Sequence, residues 1–215
     1  MEELLVESYT KLGNYKQAIR LLKEEGLFKD NATLQKVLFL QGFKSYQQGN
    51  YREASQFFEE ANEKNESETM ALRALYWQAQ SDYQHNNYAS AVNLFEQFEE
   101  ETAASELEEW KALEYNKGYA FFKLKQYSEA IQAFDAQTQQ KNALRKEVQR
   151  DLFLRLGDSY FANKQYWPAM ESYNKAIQLD PAKGSYALYQ KAISYGFVDR
   201  NLQKIENLEA LISSS

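Results

Sequence analysis

The side chains that most often carry out chemistry are scarce in this chain. Its single histidine, His85, stands beside a predicted turn and is followed by Asn86 and Asn87. It reads as an exposed loop residue, and one histidine cannot supply a multi-histidine metal site. With no cysteine in the chain, disulfides, thiolate metal ligands and thiol nucleophiles are all excluded, while the redox compartment stays open. Carboxylates abound, yet no pair is marked out by the contrasting surroundings that acid and base work requires. Gly42, Gly49, Gly118 and Gly157 are dispersed and do not gather into a phosphate-cradling loop. No enzyme activity, cofactor or metal is therefore expected.

The charge balance is 25 − 31 = −6, and Glu96, Glu99, Glu100, Glu101, Glu106, Glu108, Glu109 and Glu114 form its densest stretch. Such a run is read as a solvated face, with docking of a basic partner as the alternative. An acidic surface releases no counterions from a polyphosphate, so nucleic acid is not an expected partner. The longest apolar stretches fall far short of the roughly 20 residues that span a bilayer. Met1-Glu2-Glu3-Leu4 is acidic where a secretory signal is basic, so membrane insertion is not expected.

The elements that must position any site are helical. Two prolines and eight glycines stand among abundant Ala, Leu, Glu, Lys and Gln, the residues that cost least in a helix. Five segments line up: Gly13–Ile19, Gly49–Ser55, Asn86–Val92, Lys125–Ile131 and Lys164–Met170. Their tyrosines Tyr15, Tyr51, Tyr88, Tyr127 and Tyr166 are 36, 37, 39 and 39 residues apart, and a weaker sixth copy starts at Asn201. These tyrosines are expected to pack the turns.

Within each copy an alanine precedes a large apolar residue by four positions, as in Ala54 and Phe58 or Ala130 and Phe134, which places both on one helix face. Twelve residues before the alanine stands another small residue: Gly42, Ala79, Gly118, Gly157 and Ala192. The pattern predicts two antiparallel helices per copy that approach closely where small faces small. Ser105 with Glu108 is a predicted capping box. Asp180-Pro181 is a predicted helix start, and Pro168 belongs in a first turn.

In these residues the chain resembles the tetratricopeptide repeat, a helix-turn-helix of about 34 residues with a small residue, an aromatic, an alanine and a further aromatic. The resemblance covers essentially the whole chain. It implies an all-α fold, a right-handed α-α superhelix of about six hairpins, in one array. The approximate repeats are 1–29, 30–65, 66–102, 103–141, 142–180 and 181–215. Several copies are longer than the family's, and longer helices or loops should absorb the excess. Lys204 replaces the packing alanine of the sixth, which should be the loosest.

The resemblance also implies a concave groove lined by the first helices. The family's inward positions fall on Phe39, Phe43 and Tyr46, then Tyr76, Gln80 and Tyr83, then Tyr115, Tyr119 and Phe122. They continue on Leu154, Asp158 and Phe161, then on Tyr189, Ile193 and Gly196. Such a groove, rich in rings, suits a peptide or protein segment. The family's basic and asparagine clamp for a terminal carboxylate is missing, because Glu3, Phe39, Tyr76 and Tyr115 occupy the places open to its lysine. Glu7, Phe43, Gln80 and Tyr119 occupy those for asparagine. The expected function is a protein-interaction scaffold.

One alternative is a spacer or self-association module of a larger repeat protein, prompted by apolar residues in the last copy at Leu208, Leu211 and Ile212. Its exposed terminal hairpins would then pair. A remoter alternative is a helical-repeat RNA binder, which requires a basic groove that the inward positions do not supply. The style of the repeats is similar to tetratricopeptide proteins of bacterial cell envelopes, so a fragment of a longer bacterial protein is expected. Its compartment, periplasmic or cytoplasmic, is left open.

Overall fold

The computed structural model describes residues 2–24, 30–140 and 144–213. The expected repeat ends at residues 29, 141 and 215 lie outside them. Twelve α-helices, and no strands, occur among the described residues. In chain order they are α1 (Glu2–Lys11), α2 (Tyr15–Glu24), α3 (Asn31–Gln47), α4 (Tyr51–Lys64), α5 (Glu68–Gln84) and α6 (Tyr88–Glu100). Then follow α7 (Leu113–Lys123), α8 (Tyr127–Gln139), α9 (Lys146–Ala162), α10 (Tyr166–Leu179), α11 (Ser185–Phe197) and α12 (Asn201–Ser213). The chain divides into two compact units, Met1–Trp110 and Lys111–Ser215, each holding three hairpins.

All six hairpin turns use one device. The residue two before each second helix is left-handed: Gly13 and Gly49 at φ +70° and +78°, then Asn86, Lys125, Lys164 and Asp199 at φ between 57° and 64°. The next N–H reaches back five residues, for instance from Asn50 to the Ser45 carbonyl at 2.9 Å and from Gln165 to that of Tyr160 at 2.8 Å. This closes the otherwise unsatisfied carbonyls of the first helix. Glycine takes that conformation freely, whereas a lysine there is strained.

Four of the turn tyrosines pack as their spacing implies, each ring against the last inward aromatic of its first helix, while Tyr15 lies under the Lys44 ammonium, 5.8 Å from its ring centroid. Tyr51 meets Tyr46 at 5.3 Å, Tyr88 meets Tyr83 at 5.4 Å, Tyr127 meets Phe122 at 5.6 Å and Tyr166 meets Phe161 at 5.5 Å.

The small residue of the first helix has a sharper role than facing its partner alanine. A Cβ on Gly118 would stand 2.5 Å from the Phe134 ring, one on Gly157 2.6 Å from Tyr173, and one on Gly42 2.9 Å from Phe58. The glycine thus admits the aromatic four residues beyond the alanine, and those rings are the largest fully buried side chains of their hairpins. In the sixth hairpin no such ring exists. Gly196 meets the aliphatic stem of Lys204, and α12 has no buried residue.

Two local expectations are corrected. Ser105 lies inside a 3-10 turn, Thr102–Glu106, and its hydroxyl donates to the Thr102 carbonyl, so it forms no capping box. A second turn, Glu108–Ala112, follows, and together these absorb the excess of the fourth copy ahead of α7. Pro181 opens a three-residue 3-10 turn in place of a helix, while α11 starts at Ser185, and the Asp180 side chain caps nothing and faces Lys183 instead. Pro168 does sit in the first turn of α10.

Candidate functional site

In the first unit the inward positions form a ring cluster. Phe39 and Phe43 are one helical turn apart on α3, 6.0 Å between centroids, and both rest on Phe58 of α4. From α5 comes Trp77, whose ring stands edge-on to Phe43 at 4.5 Å and to Tyr46 at 5.4 Å. Tyr76 was expected on the groove face but is buried, because its ring fills the space beside Phe95 and Phe98 of α6. Gln80 donates to the Tyr76 hydroxyl at 3.2 Å.

A cation sits over this cluster. The Arg73 guanidinium lies 5.6 Å from the Phe39 centroid, and its Nε donates to Glu109 at 2.8 Å. The same Glu109 oxygen accepts from the Trp77 indole at 3.3 Å, so a buried carboxylate is held by two donors.

In the second unit the equivalent face is a polar network. Tyr115 and Tyr119 stand one turn apart on α7 with centroids 5.0 Å apart, and both rings pack on Phe134. Both hydroxyls donate to the same Asp151 oxygen on α9, Tyr115 at 2.7 Å. Arg155, one turn on, donates from Nε to the Tyr119 hydroxyl at 3.1 Å and from Nη1 to Asp158 at 2.7 Å. The other Asp158 oxygen accepts from Tyr173 of α10 at 3.0 Å and Tyr186 of α11 at 2.8 Å. One network therefore ties four helices together.

Burial sets the electrostatics. It holds the Asp158 carboxyl above the ordinary value, against the opposing pull of the Tyr186 hydroxyl and the Arg155 charge. Burial, then the Asp151 hydrogen bond and charge, push the Tyr119 hydroxyl up to about 12. Tyr115 and Tyr173 are raised further, again chiefly by burial.

Of the other inward residues, Tyr46, Tyr83, Phe122 and Phe161 are half-buried at the turns, and Tyr189 is exposed. Asp158, with Leu154 beside it on α9, lies beneath the surface. Phe197, which the inward pattern does not include, packs on Phe161 at 5.5 Å and stacks on Tyr166 at 4.8 Å.

Arg73, Trp77, Glu109, Asp151, Arg155 and Tyr186 are also outside that pattern. Arg73 and Arg155 place cations beside inward positions that hold no Lys or Arg of their own. Their signal is a constant separation a little short of the 39-residue repeat step there: Arg73 with Glu109, Tyr115 with Asp151, and Tyr119 with Arg155 are each 36 residues apart. His85 caps the end of α5 and is exposed. Among the described residues no cluster of three potential ligands could hold a metal ion, and no helix is long and apolar enough to cross a membrane.

Each unit is thus a stack of helical hairpins with a ring-bearing face on its first helices, the build of a helical-repeat protein. Residues 76–143 and 151–183 match family models described as tetratricopeptide repeat. Over these two stretches the chain carries tetratricopeptide repeats. Among solved structures, MamA (41-end) from Desulfovibrio magneticus RS-1 aligns with a TM-score of 0.69 at 18% identity, covering 84% of this chain and 94% of that one. YrrB, a "TPR protein with an unusual peptide-binding site", aligns with a TM-score of 0.70 at 17% identity, covering 94% and 92%. BtubC from P. vanneervenii aligns with a TM-score of 0.66 at 14% identity, covering 100% and 91%. At these identities the likeness establishes the fold. No curated protein matched the sequence.

Proposed function

We propose that the chain is a non-catalytic interaction scaffold that holds a peptide or protein segment on the ring-bearing faces of its first helices. A scaffold role is general to the family. The observation that carries the finer reading is the second unit's face. There, half-buried Tyr115 and Tyr119 and exposed Tyr186 have their hydroxyls fixed by Asp151 and Asp158, and the partly exposed Arg155 guanidinium stands between them. Rings already immobilised lose little freedom on binding and offer area together with polar edges. That a protein of this fold, YrrB, is described as having a peptide-binding site supports the same use here. Nucleic acid fits less well, because the two cations on these faces, Arg73 and Arg155, are each paired with a carboxylate.

Short peptides selected from a random phage-displayed library on the chain provide the test. Tyr186→Ala with Tyr189→Ala changes two exposed rings and should weaken second-unit binders at least about tenfold, a loss of roughly 1.4 kcal/mol. Arg73→Ala should do the same for first-unit binders. Selected peptides indifferent to all three changes, with circular dichroism intact, would remove the proposal.

A further inference from the structure

We propose that the turn edge of the last two hairpins docks on an anionic lipid bilayer, with Trp167, Phe197 and Leu202 reaching the headgroup layer and Lys164 and Arg200 facing the lipid phosphates. This surface is separate from the first-helix faces and independent of the peptide-binding reading.

Two positions of the repeat stand at the hairpin turn. One lies two residues before the packing alanine, at the start of the second helix, and holds Lys16, Arg52, Ala89 and Ser128 in the first four hairpins. The other lies seven before it, around the end of the first helix, and holds Lys11, Gln47, Gln84, Lys123 and Ala162 in the first five. All of these residues are exposed, so solvent access there comes with the repeat itself and does not depend on what adjoins the sixth hairpin. Polar or small side chains suit such places. In the last two hairpins the same positions turn apolar: Trp167 is 53% exposed, Phe197 58% and Leu202 74%. Among the described residues, Leu12 is the only other large apolar side chain exposed at a hairpin turn.

The rings are braced from one side. Phe197 stacks on Tyr166 at 4.8 Å, with the planes 12° apart, and stands edge-on to Phe161 at 5.5 Å, while Trp167 stands perpendicular to Tyr195 at 6.5 Å. Trp167 and Leu202 are the second residues of α10 and α12, and Phe197 is the last of α11. All three therefore project from helix ends, as tips and not as the lining of a groove, which suits a flat and laterally extended partner. Charge then selects the kind of partner. At the first turn Lys11 and Lys16 are neutralised by Glu7 and Glu53. At the last two turns Lys164, Arg200 and Lys204 pair with no carboxylate among the described residues, and Asp199 is the only acid within residues 161–167 and 195–204. A chain of net charge −6 thus gathers unpaired cations around its exposed rings. Tryptophan, apolar in body and polar at its N–H, settles at headgroup level, and lysine and arginine beside it are drawn to anionic lipid. Such binding grows with the apolar area buried plus that attraction, and it needs no spanning segment.

Co-sedimentation with sucrose-loaded vesicles is the test, comparing phosphatidylcholine alone with an equal mixture of phosphatidylcholine and phosphatidylglycerol. The unaltered chain should sediment with the mixed vesicles and far less with the neutral ones, and added salt should release it. Trp167→Ala with Phe197→Ala should weaken the partition at least about tenfold. Leu202→Gln, at a side chain already mostly in water and so no threat to the fold, should weaken it in the same direction by less. Lys164→Gln with Arg200→Gln should weaken binding to the mixed vesicles at least about fivefold. Leu12→Gln, an exposed leucine beside lysines that are already paired, should change nothing. Circular dichroism verifies each variant. No binding of the unaltered chain to the mixed vesicles, binding indifferent to the ring or the cation changes, or an equal loss from Leu12→Gln would each overturn the proposal. Peptides selected on the chain that are lost with the Trp167 and Phe197 changes, while the vesicles stay bare, would assign the edge to a protein partner instead.

Discussion

Fifteen and eleven residues before the packing alanine, the first unit has Phe39 and Phe43, and the neighbouring hairpin sets the Arg73 guanidinium over the first and the indole of Trp77 against the second. At the same places the second unit has Tyr115 and Tyr119, and the neighbouring hairpin answers with the carboxylate of Asp151. Ring contacts need no charge and tolerate loosening. A carboxylate half out of water stabilises only while its donors remain, and it strands them when it is removed. One repeat scaffold therefore carries two faces that differ in what breaks them.

The largest contrast should come from the position eleven before the alanine in two other hairpins. Asp158→Ala leaves the hydroxyl of fully buried Tyr173 and Nη1 of Arg155 without their acceptor, and should cost about 3 kcal/mol in urea unfolding. Gln80→Ala removes one hydrogen bond to Tyr76 and should cost about 1 kcal/mol or less. Equal losses would erase the distinction. Next come the ring-admitting glycines: Gly118→Ala and Gly42→Ala should each cost about 1–3 kcal/mol. Gly118→Ala should cost more, since its Cβ would meet a ring at 2.5 Å against 2.9 Å for Gly42. Thermal melts would rank the pair.

Alkali should separate the units as well. With the folded Tyr119 hydroxyl at about 12, above its ordinary value of 10.0, the fold holds more protons than the unfolded chain between those values. Stability must then fall as pH rises through that window. Tyr115, Tyr160, Tyr173 and Tyr186 shift the same way and all lie in the second unit, whose helices should be lost first. Tyrosinate absorbance followed with circular dichroism would show it, and Tyr119→Phe should reduce the slope. The smallest effect concerns the turns. Glycine at Lys125 or Lys164 relieves a left-handed strain of roughly 1–2 kcal/mol and adds a flexibility cost of roughly 0.5–1, for a net gain of about 0.5–1 kcal/mol. In the first unit Gly13 and Gly49 already have this advantage.

The hairpins were legible because one turn chemistry and one small-to-aromatic spacing recur in nearly every copy. The ring-bearing face followed from the same spacing, since helical periodicity alone assigns Phe39, Phe43, Tyr115 and Tyr119 to one side of their helices. What the pattern could not assign was which of these rings go under cover. Tyr76 sinks because Phe95 and Phe98 of its own hairpin surround it, while Tyr189 stays out. Nor did it name Trp77, Asp151 or Arg155. They sit beside the inward positions, and their partners come from neighbouring hairpins, chiefly the preceding one, so reading each repeat alone passes over them. Comparing residues 36 or 37 apart recovers the charged pairs, Lys16 with Glu53 and Lys23 with Glu60, each 37 apart, among them.

The most direct test of the central claim is a side-chain NMR footprint of a selected peptide on the isotope-labelled chain. The account predicts that saturable shifts concentrate on first-helix side chains, Phe43, Tyr46 and Trp77 in the first unit or Tyr119, Tyr186 and Tyr189 in the second. A footprint confined to the second helices, or to the glutamate run between Glu96 and Glu109, would contradict it.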